Sequence, residues 1–216
     1  MSATPQHGLH RLLSLAPVIP VLTFEAVEEA VRTAKALVAG GLPVLEITLR
    51  TPCAIDCLKA IAAEVEGAIC GVGTAVYPRQ ISEAARAGAT FAVSPGISPR
   101  LLDAAATEGL PLLPGLATVS EAIALLERGY GFAKFFPAES AGGTSWLGSI
   151  ASPIPQIKFC PTGGISLDNA PRYLALPNVI CVGGSWVASR RRIEAADWDG
   201  IREAARVAAE LRGPSR

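Results

Sequence analysis

The chain has 216 residues, half of them hydrophobic and 18% charged, which suits one domain with a large apolar interior and excludes a disordered chain. Lysine plus arginine equals aspartate plus glutamate, so a formal net charge of zero gives no support to nucleic-acid binding and leaves room only for a local basic pocket. No stretch approaches the roughly 20 apolar residues needed to cross a bilayer, so the expectation is a soluble, cytoplasmic protein with no membrane partner.

Residues 1–16 read as a lead-in and 17–216 as a single domain. The run from Leu12 to Leu22 resembles a signal-peptide core, but Pro17 and Pro20 interrupt it and it flows directly into a helical segment. It is read as lead-in plus first strand. Val18–Leu22 is followed by a helical pattern over Glu25–Ala39, where Ala26, Ala30, Ala34 and Leu37 share a face. Further apolar runs lie at Val44–Leu49, Ala68–Thr74, Phe91–Ser94, Leu112–Leu113, Phe132–Phe136, Ile157–Cys160 and Val179–Val182. The fifth of these eight runs is short and interrupted by proline. Ala-Gly-Gly at 39–41 and Ala-Gly at 87–88 mark helix ends, and Thr118-Val-Ser-Glu121 resembles a capping box.

Strands alternating with helices through short connections imply parallel strands and right-handed crossovers. Eight such units in one compact chain predict an α/β fold, a closed (β/α)8 TIM barrel; the alternative is an open doubly wound sheet. In a barrel of this type, active sites sit at the C-terminal ends of the strands. Polar residues late in apolar strands are therefore informative.

In the second run, Leu45, Ile47 and Leu49 alternate with Glu46, Thr48 and Arg50. Period-two geometry sends the first set to the helix layer and the second to the interior, with Arg50 nearest the mouth. The same parity turns Lys134 inward with Phe132 and Phe136. A buried ammonium is costly, and two explanations stand open: a structural ion pair with Glu46, or a nucleophile. A lysine attacks a carbonyl only as the neutral amine. Desolvation and a nearby cation such as Arg50 favour that form, whereas Glu46 alone opposes it; Glu46 in turn is placed to shuttle protons.

Two glycine pairs follow the last two strands, Pro161-Thr-Gly-Gly-Ile165 and Val182-Gly-Gly-Ser185. Loops at these positions frequently form a phosphate site, because glycine lets backbone N–H groups approach the anion. Thr74 and Thr162 are further mouth hydroxyls, Thr162 alternatively a helix cap; Ser94-Pro-Gly96 is a turn and a pocket wall. Lys158, early on its strand, suits an ion pair at the barrel base, and Trp146, Trp186 and Trp198 suit packing. The five cysteines, 53, 57, 70, 160 and 181, read as packed thiols. His7 and His10 are the only histidines, so no metal site is expected.

Seven motifs together carry a resemblance: LEITLRT (45–51), GVGT (71–74), SPG (94–96), LPG (113–115), KFFPAE (134–139), CPTGGIS (160–166) and GGSW (183–186). With them the chain resembles, from about Pro17 to Trp198, 2-keto-3-deoxy-6-phosphogluconate (KDPG) aldolase, a class I aldolase family that often also cleaves 4-hydroxy-2-oxoglutarate. The resemblance implies Lys134 as Schiff-base lysine and Glu46 as general acid/base. It implies that Arg50 and Thr74 hold the pyruvyl carboxylate, Pro95 and Phe136 shape the pocket, and Thr162 contacts a substrate hydroxyl. Gly163, Gly164, Gly184 and Ser185 would receive the phosphate. It further implies a homotrimer, no cofactor, no metal, and pyruvate and a phosphorylated 2-keto acid as small-molecule partners. Ala75-Val-Tyr77 and Ser140-Ala141 depart from the expected pattern at the mouth. The rivals are the same chemistry on the galactonate epimer or on 4-hydroxy-2-oxoglutarate, a metal-dependent aldolase, and a non-catalytic phosphate-binding barrel.

Overall fold

The computed structural model describes residue 6 and residues 8–211; His7 and the two chain ends lie outside the described residues. A short helix, α1 (Leu9–Leu13), comes first. Then β1 (Val18–Leu22) leads to α2 (Val27–Ala39), β2 (Val44–Thr48) to α3 (Ala54–Glu64), β3 (Ile69–Gly73) to α4 (Pro78–Arg86), and β4 (Ala92–Val93) to α5 (Pro99–Glu108). The fifth repeat has two strand pieces, β5 (Leu112–Leu113) and β6 (Gly115–Leu116), before α6 (Val119–Glu127). β7 (Phe132–Phe135) leads to α7 (Gly143–Ile150) and β8 (Lys158–Pro161) to α8 (Ala170–Leu174). β9 (Val182–Gly184) runs through a 3₁₀ turn (Trp186–Ala188) into α9 (Arg190–Glu194) and α10 (Trp198–Ala209).

Every strand pairing is parallel, in the orders β5-β4-β3-β2-β1-β9 and β6-β7-β8, and the bridges Phe159↔Val179 and Thr162↔Gly183 join the two runs. The curled sheet with its surrounding helices is the expected (β/α)8-like barrel. The fifth stave is split at Pro114, which lacks an N–H but whose carbonyl accepts from Lys134 N at 2.8 Å. Below that break the Gln6 amide replaces the ladder. Its Nε2 donates to Leu112 O and Phe132 O, and its Oε1 accepts from the N–H groups of Gly131 and Phe132, all within 2.9 Å.

The eighth stave differs from its expected limits. Val179 makes one bridge, but the regular strand begins at Val182 and continues through Gly183 and Gly184, which pair with Ile19 and Pro20. Ladder pairing is a backbone property, so an apolar run that stops before two glycines understates the strand.

Strand parity divides the core as expected. Leu45 and Ile47 pack with the helices, whereas Ile19, Val44, Phe91, Val93, Leu113, Cys160 and Cys181 fill the interior with Leu9 and Leu13 of α1. The described part of the lead-in thus packs into the barrel base. Helix ends fall at Gly41 (φ 93°) and Gly88 (φ 86°), left-handed conformations that glycine adopts without steric cost. Gly40 admits α10 against α2, since a Cβ there would sit 2.5 Å from that of Ala205. Among the described residues, no helix is long and apolar enough to cross a membrane.

Candidate active site

Lys134 and Glu46 meet inside the barrel. Their side chains are only 5% and 4% exposed, and Nζ lies 3.1 Å from Oε1. β7 and β2 present them from well-separated staves, and the Phe136 ring lies 5.4 Å from the Lys134 ammonium. One stave over, Gly73 leaves the space that the Glu46 carboxylate occupies: a Cβ there would lie 2.2 Å from Oε1. Thr48, fully buried on the same strand as Glu46, shares a 2.7 Å hydrogen bond with Thr23.

Above this pair, exposed Arg50 donates through Nε to Thr74 Oγ1 at 3.0 Å. Among the described residues Arg50 forms no ion pair, so its charge is uncompensated at the mouth. Thr74 has φ 60°, a rare conformation for a β-branched residue, and it is held at the end of β3 beside that arginine. Ser94 donates to Gly96 O at 2.7 Å, closing the turn that carries Pro95. The backbone of Pro95 rests on Gly115, where a Cβ would approach its carbonyl carbon to 2.3 Å. Gly115 is in register with Lys134, so this turn borders the lysine's strand.

The two glycine loops adjoin through the Thr162↔Gly183 bridge. Thr162 is buried, its Oγ1 donates weakly to Cys160 O at 3.3 Å, and it fills the space that Gly183 leaves. Gly163 (φ 100°) and Gly164 (φ 78°) are both left-handed. Their carbonyls accept from Glu139 N and Asn169 Nδ2, whereas the N–H groups of Gly163, Gly164 and Ile165 have no acceptor among the described residues. Gly184 is buried against the Trp186 ring and Ser185 is exposed beside it. Unpaired N–H groups clustered on a glycine turn can accommodate an anion.

A match to the family model "KDPG and KHG aldolase" spans residues 9–204. The chain belongs to that family. It is 51% identical to the KHG/KDPG aldolase of Escherichia coli (strain K12) over 92% of this chain and 93% of that one. The KDPG aldolase of Legionella pneumophila, solved with pyruvate captured at low pH as a covalent carbinolamine intermediate, superimposes with TM-score 0.90 at 44% identity, covering 93% of this chain and 97% of that one. The enzyme of Zymomonas mobilis ZM4 with 3-phosphoglycerate gives TM-score 0.91 at 43% identity, covering 96% and 97%.

Several expectations away from the mouth resolve differently. Lys158 is exposed and donates to Pro177 O at 3.0 Å rather than forming an interior ion pair, because its position at the strand's start leaves Nζ in solvent. Trp146 packs as expected, stacked on Phe135 at 4.4 Å and edge-on to Phe159. The five cysteines are free thiols, with burial pushing Cys57 up to about 12 and Cys70 to about 11. Gly73, Gly115, Gly183 and Thr23 were not singled out for their own contacts. Inward parity on a strand marks Gly73, Gly115 and Gly183 as places of close approach without naming the partner, and Thr23, just past β1, carries no such signal.

Proposed function

We propose that this chain is a class I aldolase that cleaves KDPG into pyruvate and glyceraldehyde 3-phosphate through an imine on Lys134. The carrying observation is a buried amine at the upper end of the barrel, 3.1 Å from a buried carboxylate. The covalent pyruvate adduct of the Legionella relative supports the same reading.

Transfer of one proton across the Lys134–Glu46 contact yields the neutral amine that attack requires. The amine adds to the C2 ketone, and Glu46 returns a proton to the departing water as the carbinolamine becomes an iminium. Glu46 then takes the C4 hydroxyl proton. The C3–C4 bond breaks, the aldehyde leaves, and its electron pair passes into the iminium to give an enamine. Protonation at C3 and hydrolysis release pyruvate and restore the lysine. Arg50 and Thr74 hold the carboxylate, Pro95 and Phe136 wall the pocket, and Thr162 contacts a hydroxyl. Gly163, Gly164, Gly184 and Ser185 receive the phosphate, and the active assembly is a homotrimer.

Incubation with pyruvate and borohydride tests this directly. Mass mapping is expected to find an irreversible adduct on Lys134 that chelators do not prevent; absence of label there sinks the imine mechanism, and chelator sensitivity points to a metal-dependent aldolase instead. Lys134→Ala is expected to lose turnover by several orders of magnitude with an unchanged circular dichroism spectrum. Comparing kcat/KM on KDPG, its galactonate epimer and 4-hydroxy-2-oxoglutarate assigns the preferred substrate. Analytical ultracentrifugation checks the trimer.

A further inference from the structure

The Gly163–Gly164 turn is held from behind by a small polar network that the proposed reaction does not use. Glu139 supports it twice: its N–H donates to Gly163 O at 3.1 Å, and its side chain lies against Gly164, where a Cβ would come within 2.7 Å of Cγ. The Glu139 carboxylate accepts a hydrogen bond from the hydroxyl of Tyr173, a fully buried residue on α8. Asn169, at the start of α8, donates to Gly164 O at 2.9 Å and accepts from Ser166 N at 2.8 Å. Helix α8 is thereby tied to the back of the turn whose N–H groups lack acceptors among the described residues. Burial first, and then Glu139 itself, hold the Tyr173 hydroxyl above the ordinary phenol range, so it remains a donor.

A carboxylate next to an anion site is costly unless its charge is engaged elsewhere. We infer that Tyr173 is a positioning residue, which anchors the Glu139 carboxylate away from the open face of the turn and so sets the affinity for the substrate's phosphate. The inference rests on the phosphate role proposed for this turn.

The experiment compares steady-state kinetics on KDPG and on 4-hydroxy-2-oxoglutarate, which has no phosphate. Tyr173→Phe keeps the buried ring and removes only the hydroxyl. It is expected to raise KM for KDPG about tenfold with kcat within about twofold, while KM for 4-hydroxy-2-oxoglutarate stays within about twofold. Glu139→Gln in the Tyr173→Phe background removes the liberated charge and is expected to restore most of the loss. Glu139 is exposed, so a second pair of variants avoids any folding defect at Tyr173. Glu139→Ala and Glu139→Gln both remove the charge that Tyr173 anchors and are expected to keep KM for KDPG within about twofold of wild type; a KDPG-specific rise in either shows that the charge is not what Tyr173 controls and overturns the inference. For Tyr173→Phe, an unchanged KM for KDPG, or an equal rise for both substrates, overturns the positioning role. If the wild type itself shows no preference for the phosphorylated substrate, the phosphate reading fails first and Tyr173 loses its proposed task with it.

Discussion

A Cβ at Gly73 would lie 2.2 Å from Glu46 Oε1 and 2.6 Å from its Cγ, so the carboxylate reaches Lys134 only because that strand position carries no side chain. Gly73→Ala must therefore shift the carboxylate, and small misplacement of a reacting group is expensive. Its kcat is expected to fall about a hundredfold, with the borohydride adduct forming more slowly; wild-type turnover would show that Glu46 has room to adjust. Glu46→Gln tests the group itself. It preserves volume and an acceptor for Lys134 but cannot take a proton, and a kcat loss of about 10²–10⁴ is expected. Glu46→Ala is a poorer test, because an unpaired buried ammonium costs about 3–5 kcal/mol. Alternation in 44–50 and 132–136 already turned Glu46 and Lys134 inward, so this pair was legible. The glycine that makes room for it was not, since its partner lies on another strand.

Helix α6 shows how far local chemistry carries an element. Thr118 Oγ1 accepts from Glu121 N at 3.3 Å, and Glu121 Oε2 accepts from Thr118 N at 2.9 Å, as the Thr-x-x-Glu spacing predicts. Burial pushes the Glu121 carboxyl up, but the N–H of Ala117 and the hydroxyl and N–H of Thr118 outweigh it and hold the carboxyl below the ordinary range. A depressed carboxylate stabilises the fold above the unfolded value and loses that contribution as pH falls through its own lowered value. Thr118→Ala is expected to cost about 1 kcal/mol at neutral pH, and the gap in Tm from wild type is expected to narrow in acid. A gap that is constant with pH would detach Glu121 from the cap. The last strand marks the limit of local reading: its glycines give no apolar signal, yet Gly183 pairs with Ile19 and makes room for Thr162.

Closure of the barrel is a property of the whole molecule. The strand ladders leave an opening between β5 and β7, and one glutamine near the chain start bridges it with four hydrogen bonds. Gln6→Ala strips partners from buried backbone groups and is expected to cost about 1–3 kcal/mol, read as a lower Tm. Activity at low temperature is expected to persist, because Gln6 lies at the base and the Lys134–Glu46 pair lies above it. A Tm equal to wild type would show that β5 and β7 close the opening unaided.

Alternation, glycine punctuation and the capping box are short-range signals, and from them the sequence determined eight repeats, a barrel, and the inward parity of Glu46, Thr48 and Lys134. Tertiary structure alone decided which staves face one another. It set the 3.1 Å contact across the interior, the arginine on Thr74 and the Tyr173–Glu139 hydrogen bond behind the Gly163–Gly164 turn. Each of these joins residues between 24 and 88 positions apart, where periodicity has no reach and only the register and curvature of the closed sheet fix the distance.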